Sequence, residues 1–172
     1  MPKLSAGILL YRVRGDTLEV FLVHPGGPFW AKKDTGAWSV PKGEYTQGDD
    51  PLAAARREFK EETGHNAPAG DMIELGEVKY SNKVLSVWAV QGDLDASKVT
   101  SNTFQLEWPS KSGIMQEFAE VDKAGWFDLA TACKKLVKGQ QELMTRLLDK
   151  LAITIPTSSF QTRSDSSQLT LF

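Results

Sequence analysis

Glu58, Glu61 and Glu62 crowd three carboxylates into the short run REFKEETGH. On a helix Glu58 lies three residues from Glu61 and four from Glu62, so these side chains are surface neighbours that repel by about 0.2–0.5 kcal/mol per pair. Acids are also misplaced in a last helical turn, where the macrodipole favours cations. A sequence that carries both penalties points to a positive partner for the three side chains. Hard carboxylate oxygens without cysteine or histidine suit Mg²⁺, with Mn²⁺ as the alternative, rather than Zn²⁺. The competing reading is a solvated charged face on which Arg56, Arg57 and Lys60 offset the acids, as charge runs commonly do.

The element that must position these acids is a helix over Pro51–Thr63. Asp50 can cap free backbone amides at its start, and Pro51 has its fixed φ in the first turn. Gly64 supplies the stop. Between them LAAARREFKEET holds strong helix formers and no internal glycine or proline. Leu52, Ala55 and Phe59 fall on one apolar stripe that should face the core, with the three acids beside it.

The wider stretch 43–65, GEYTQGDDPLAAARREFKEETGH, resembles the Nudix box, G-x5-E-x7-R-E-U-x-E-E-x-G-U with U a bulky apolar residue. Gly43, Arg57, Glu58, Phe59, Glu61, Glu62 and Gly64 match; Asp49 stands where the family has glutamate, and His65 where it has an aliphatic residue. The resemblance implies an α+β Nudix fold, a mixed β-sheet sandwiched between α-helices. It also implies metal-dependent hydrolysis of a pyrophosphate bond in a nucleoside diphosphate linked to another moiety, such as an NTP, a dinucleoside polyphosphate or a nucleotide sugar. On that basis Glu58, Glu61, Glu62 and Arg57 form the catalytic set. Glu58, Glu61, Glu62 and Gly43 form the metal loop, and Lys42 is close enough to touch phosphate, although a solvated lysine is an equal reading. Nudix enzymes commonly recruit one more acid from outside the box, and Glu117 or Glu120 in QEFAEVDKAGWF is the candidate here. The alternative is a catalytically silent Nudix-fold module for ligand sensing or scaffolding, supported by the departures at Asp49 and His65 and by the unusual C-terminal tail.

The rest of the chain supplies a frame. Runs 6–12 and 18–24 read as strands of a hairpin around RGDT, 38–40 as a short strand, and 72–80 with 84–91 as a second hairpin around Ser81 and Asn82. The latter's second strand, VLSVWAVQ, is apolar on both faces and therefore central. Strands follow at 103–108 and 124–128, then helices at 129–137 and 140–152 split by Gly139, the last with Leu143, Leu147, Leu148 and Leu151 as its apolar stripe. The loop 25–37, PGGPFWAKKDTGA, is longer than most connections in a compact domain. Its Phe29 and Trp30 could stack on a base and its Lys32 and Lys33 meet phosphate, with burial of the aromatics against the body an equal reading. Trp88, Trp108 and Trp126 could line a pocket, although core positions are the commoner use.

Composition bounds the partners. A chain of 172 residues with 41% hydrophobic residues suits one core, which gives a domain over 1–152 and a tail over 153–172 whose Ile153, Ile155, Phe160, Leu169, Leu171 and Phe172 could dock on the body or a second chain. Twenty basic against 22 acidic residues leave a formal charge of −2, which argues against DNA as a partner; the Nudix resemblance implies a small nucleotide or dinucleotide substrate. The single cysteine, Cys133, excludes an intrachain disulfide and falls in a helical stretch as a small buried hydrophobe. No run is long and apolar enough for a signal peptide or a membrane span, so the expectation is a cytoplasmic monomer or homodimer.

Overall fold

The computed structural model describes residues 1–154, with side chains through 152. Two long strands come first, β1 (Lys3–Arg14) and β2 (Thr17–Pro25), then the short β3 (Lys42–Glu44) and helix α1 (Pro51–Thr63). Strands β4 (Ile73–Tyr80), β5 (Lys83–Gln91), β6 (Thr103–Glu107), β7 (Met115–Ala119) and β8 (Val121–Asp128) lead to helices α2 (Leu129–Lys135) and α3 (Glu142–Thr154). The main sheet runs β4-β5-β1-β2-β8, with β3 joined to β1, while β6 and β7 form a separate two-stranded sheet. It is mixed because β1 pairs parallel with β5 and antiparallel with β2 and β3.

Side chains alternate across a strand, so β1 and β2, buried on both faces, read as nearly continuous apolar runs. Leu9, Tyr11, Val20 and Leu22 join Leu143, Met144 and Leu147 of α3 in one core layer. Ile8, Leu10, Phe21 and Val23 join Ala54, Ala55 and Phe59 of α1 in the other. The sheet is thus sandwiched between α1 on one face and α2 with α3 on the other, the α+β arrangement expected. The hairpin from β4 to β5 turns on Ser81 (φ 46°) and Asn82 (φ 57°), both positive as a type I′ turn requires.

Several boundaries and contacts differ from the sequence expectation. Residues 38–40 make isolated bridges, Val23 with Ser39 and Trp38 with Leu136, and the paired strand instead begins after Pro41, which has no amide to donate. Residues Met115–Ala119 pair with β6 as strand β7, between the two strands that the sequence reading places at 103–108 and 124–128. Leu52 is half-buried, and Ala54 and Thr63 complete the buried stripe of α1. In α3 Leu148 is only partly buried and Met144 is fully buried. Trp88 and Trp126 pack partly buried on the α1 side of the sheet, and Trp108 meets Phe29. The tail residues Ile155, Phe160, Leu169, Leu171 and Phe172, and the side chain of Ile153, lie outside the described residues. No described helix is long and apolar enough to cross a membrane.

One buried polar side chain ties the layers together. Gln140 is fully buried; its Nε2 donates to Ser39 Oγ (2.9 Å) and Tyr80 Oη (2.8 Å), and its Oε1 accepts from the Val40 amide (3.0 Å). Gln140→Ala leaves that amide unpaired beside a new cavity, and should cost about 2–4 kcal/mol. Urea denaturation measures this; a loss below about 1 kcal/mol would show that water or a neighbour replaces the amide.

Candidate active site

Helix α1 is fixed at both ends. The Asp50 carboxylate accepts from the Ala53 amide (3.1 Å), and Gly64 (φ 80°) closes the helix by donating to Lys60 O (2.8 Å). A Cβ at Gly64 would come within 2.7 Å of Thr100 O, so glycine also lets the segment after β5 approach. That segment zips onto the last turn: Thr100 N donates to Thr63 O (3.0 Å) and Asn102 N to Glu61 O (2.8 Å). Asn102 O in turn accepts from the Glu120 amide (2.9 Å). Three backbone bonds thus carry the junction of β7 and β8 to the acidic face of α1.

The result is a cleft of about 470 Å³ bordered by Glu58, Glu61, Glu62 and Glu120, with Lys42, Lys83 and Trp30 also on its wall. Gly43 pairs with Ala6 of β1 and offers a hollow that the Glu58 carboxyl fills; a Cβ there would lie 2.0 Å from it. Arg57 Nη2 donates to Glu44 O (3.3 Å) and loosely to Glu58 Oε1 (3.4 Å), so the carboxylate it meets is its immediate neighbour. Glu62 Oε1 accepts from the Lys42 amide (3.2 Å). Of the two candidates outside the box, Glu120 lines the cleft, whereas Glu117 is exposed on β7 opposite Gln105.

The aromatic loop divides in the same way. Trp30 reaches the cleft and packs partly buried on the core. Lys33 places Nζ 5.0 Å from the Trp30 ring centre, a cation–π contact. Phe29 is 60% exposed and stands edge-on to Trp108 at 5.3 Å, outside the cleft lining. Lys32 is exposed and away from the cleft.

Sequence reasoning passed over two features. His24, fully buried in β2, faces Asp122 Oδ1 through Nδ1 (2.7 Å) and Lys33 O through Nε2 (2.6 Å), pinning the loop that carries Trp30. A histidine in an apolar run was the available signal. The cleft also adjoins a recess of about 640 Å³, which shares Lys83 with it and includes Tyr80, Lys138 and Gln140. The type I′ turn at Ser81 and Asn82 was the only local hint that Tyr80 and Lys83 end up side by side.

Burial pushes the Glu62 carboxyl up to about 7, with Glu58 and Glu120 adding to the shift and Lys42 opposing it. Burial also raises Glu58, helped by the charge of Glu61 and opposed by Arg57. Glu120 rises for the same two reasons, burial and then Glu61. Mutual repulsion therefore operates in the folded site. Among the described residues, no group of three or more His, Cys, Asp or Glu side chains is arranged as a finished metal cage. The donors nevertheless fit a hard divalent cation in kind and charge: oxygen atoms only, on carboxylates that raise one another's proton affinity.

The raised Glu62 value has a direct consequence for stability. A carboxyl that binds its proton more tightly when folded contributes stability that is present below about pH 4.5 and lost as pH rises through about 7. In buffer containing a chelator, stability should fall by an amount on the order of 2 kcal/mol between about pH 5 and pH 8, and Glu62→Gln should flatten much of that fall. Chemical denaturation across this range measures it; parallel profiles for the two proteins would show that Glu62 is solvated.

Comparison with known proteins places these observations in a family. The family model described as NUDIX domain matches residues 1–147. The 8-oxo-(d)GTP phosphatase of Mycolicibacterium smegmatis is 30% identical over 141 residues, 67% of this chain, and the chain spans only 41% of that relative's own length. Among solved structures, a binary complex of the C. elegans Ap4A hydrolase superposes with a TM-score of 0.59 at 22% identity, covering 87% of this chain and 98% of that one. The NUDIX domain of Shewanella oneidensis NrtR, complexed with ADP ribose, gives 0.59 at 17% identity over 88% and 89%. At these identities the structural likeness speaks for the fold alone. Because the family model spans the arrangement from β1 into the first half of α3, the chain is a member of the Nudix family.

Proposed function

We propose that this chain is a metal-dependent pyrophosphohydrolase acting on a nucleoside diphosphate linked to another moiety, such as an NTP, a dinucleoside polyphosphate or a nucleotide sugar. The observation that carries the reading is the convergence of Glu58, Glu61, Glu62 and Glu120 on one cleft beside Lys42 and Trp30. Nucleotide ligands also appear in the named relatives, which act on 8-oxo-(d)GTP or Ap4A or hold ADP ribose. The domain is taken as residues 1–152, working in the cytoplasm.

Glu58, Glu61 and Glu62, with Glu120 from the facing strands, are the residues that would hold Mg²⁺, or Mn²⁺ in its place. Such an ion supplies polarisation of phosphoryl oxygen, a more acidic bound water and charge for the leaving phosphate. Arg57, held by Glu44 O, steadies Glu58. Lys42 keeps its amide on Glu62 and its ammonium at the cleft, where it can meet a phosphate oxygen. Glu62 and Glu120 border the cleft from opposite elements, and either can take the proton of the attacking water. Trp30 offers a face on which a base can stack.

A silent binding module remains the second reading. The observation in its favour is that oxygens of Glu58 and Glu62 already accept from Arg57 and the Lys42 amide, without a finished cage among the described residues. A panel of NTPs, dinucleoside polyphosphates and nucleotide sugars, assayed for product with and without Mg²⁺, separates the two. Mg²⁺-stimulated release from any of them supports the enzyme; binding without turnover across the panel supports the module. Within an active panel, Glu61→Gln or Glu62→Gln should lower kcat by roughly 10²–10⁴-fold while the fold is kept. Gly43→Ala should do likewise by evicting the Glu58 carboxyl from its hollow. An unchanged kcat in the Glu61 and Glu62 variants would remove these acids from the mechanism.

A further inference from the structure

The recess that adjoins the carboxylate cleft shares Glu62, Glu120, Lys42 and Lys83 with it, and adds groups that donate. Lys83 and Lys138 both border it, and among the described residues neither ammonium has a hydrogen-bond or ion-pair partner. Tyr80 stands with them, and its hydroxyl oxygen accepts from Gln140 Nε2 at 2.8 Å. That leaves the phenolic proton to point at a further acceptor.

Gly139 explains how the three come together. A Cβ there would lie 2.3 Å from Cγ of the Tyr80 ring and 2.4 Å from its Cβ. Only without a side chain can the turn Lys138–Gln140 lie flat on that ring. Lys138 is thereby delivered to the same recess as Lys83, which follows Tyr80 across the type I′ turn. Two unpaired ammonium groups that share a concave wall repel each other. They also attract an anion more strongly than they would in open solvent.

We infer that this recess is an anion subsite, in which Lys138 and the Tyr80 hydroxyl, with Lys83 at the border it shares with the carboxylate cleft, take a further phosphate of the substrate next to the diphosphate held at the carboxylates. The inference rests on the hydrolase reading and narrows it to substrates with three or more phosphates in line, over diphosphates that end in a neutral sugar. Trp30 lines both the carboxylate cleft and the recess, so a base can stack at their junction while the polyphosphate runs inward.

The test compares diadenosine tetraphosphate with ADP-ribose in the presence of Mg²⁺ for wild type, Lys83→Met with Lys138→Met, and Gly139→Ala. The paired lysine variant should raise KM for the tetraphosphate at least about tenfold more than for ADP-ribose, with kcat for the tetraphosphate held within about twofold. Gly139→Ala should shift the same ratio in the same direction. An equal effect on both substrates, or none on either, overturns the subsite. Inorganic tripolyphosphate titrated calorimetrically into wild type and the paired lysine variant at low salt gives a readout independent of turnover. Binding weakened about tenfold or more supports the subsite, and equal binding overturns it. If neither nucleotide is cleaved while tripolyphosphate binding still depends on the lysines, the hydrolase reading fails and the anion subsite stands.

Discussion

Gathering four carboxylates around one cleft sets like charges against each other, and the way this repulsion is held in place governs the rest of the architecture. Three of the four acids are restrained from outside the helix, two by β3 and one through Asn102. Glu58 lies in the hollow over Gly43, Glu62 is held by the Lys42 amide, and Glu120 is tethered through Asn102 to the last turn of α1. The helix itself cannot drift, because Ala55, Phe59 and Thr63 bury its other face against the sheet. A costly arrangement is therefore fixed by a well-packed scaffold, as expected where local rules are broken at a functional site.

The same logic shapes the loop between β2 and β3. A segment of this length with no regular structure would ordinarily be free to move. Here it is tied at three points: Gly26 N donates to Glu120 O (2.9 Å), His24 Nε2 meets Lys33 O (2.6 Å), and Gly36 N donates to Lys134 O (3.1 Å). The first tie joins the loop to the residue that supplies the fourth acid. Trp30 is consequently set relative to the carboxylates by these three ties.

What was legible in the sequence was local. The bounds of α1 follow from Asp50, Pro51 and Gly64, and its chemistry from the spacing of three acids on one turn. The two-faced burial of β1, β2 and β5 follows from their continuous apolar runs. Glu120 could not be separated from Glu117, because the choice depends on the pairing of β6 with β7 and on the bonds through Asn102. Lys83 and Lys138 were invisible as a pair for the same reason, since only the packing of Gly139 on Tyr80 unites them. Leu52 was misplaced because the periodicity of α1 is satisfied almost as well by Ala54, which the sheet approaches more closely.

These contacts converge on β3, the shortest strand. Lys42 gives its amide to Glu62, Gly43 makes room for Glu58, and Glu44 O receives Arg57, so three consecutive residues serve three different parts of the site. Their placement depends on the antiparallel register of Ala6 with Gly43. A slip by one residue would turn Lys42 and Glu44 together to the other face and put a side chain where the Glu58 carboxyl lies. Gly7 guards that register from the other strand. A Cβ there would sit 2.7 Å from Pro41 O and 2.9 Å from Lys42 Cβ, so the close approach of β3 to β1 needs glycine on β1, while the seat of the Glu58 carboxyl needs it on β3. The acids on α1 can do metal chemistry only because a strand of three residues, outside the helix, is held in one register beside them.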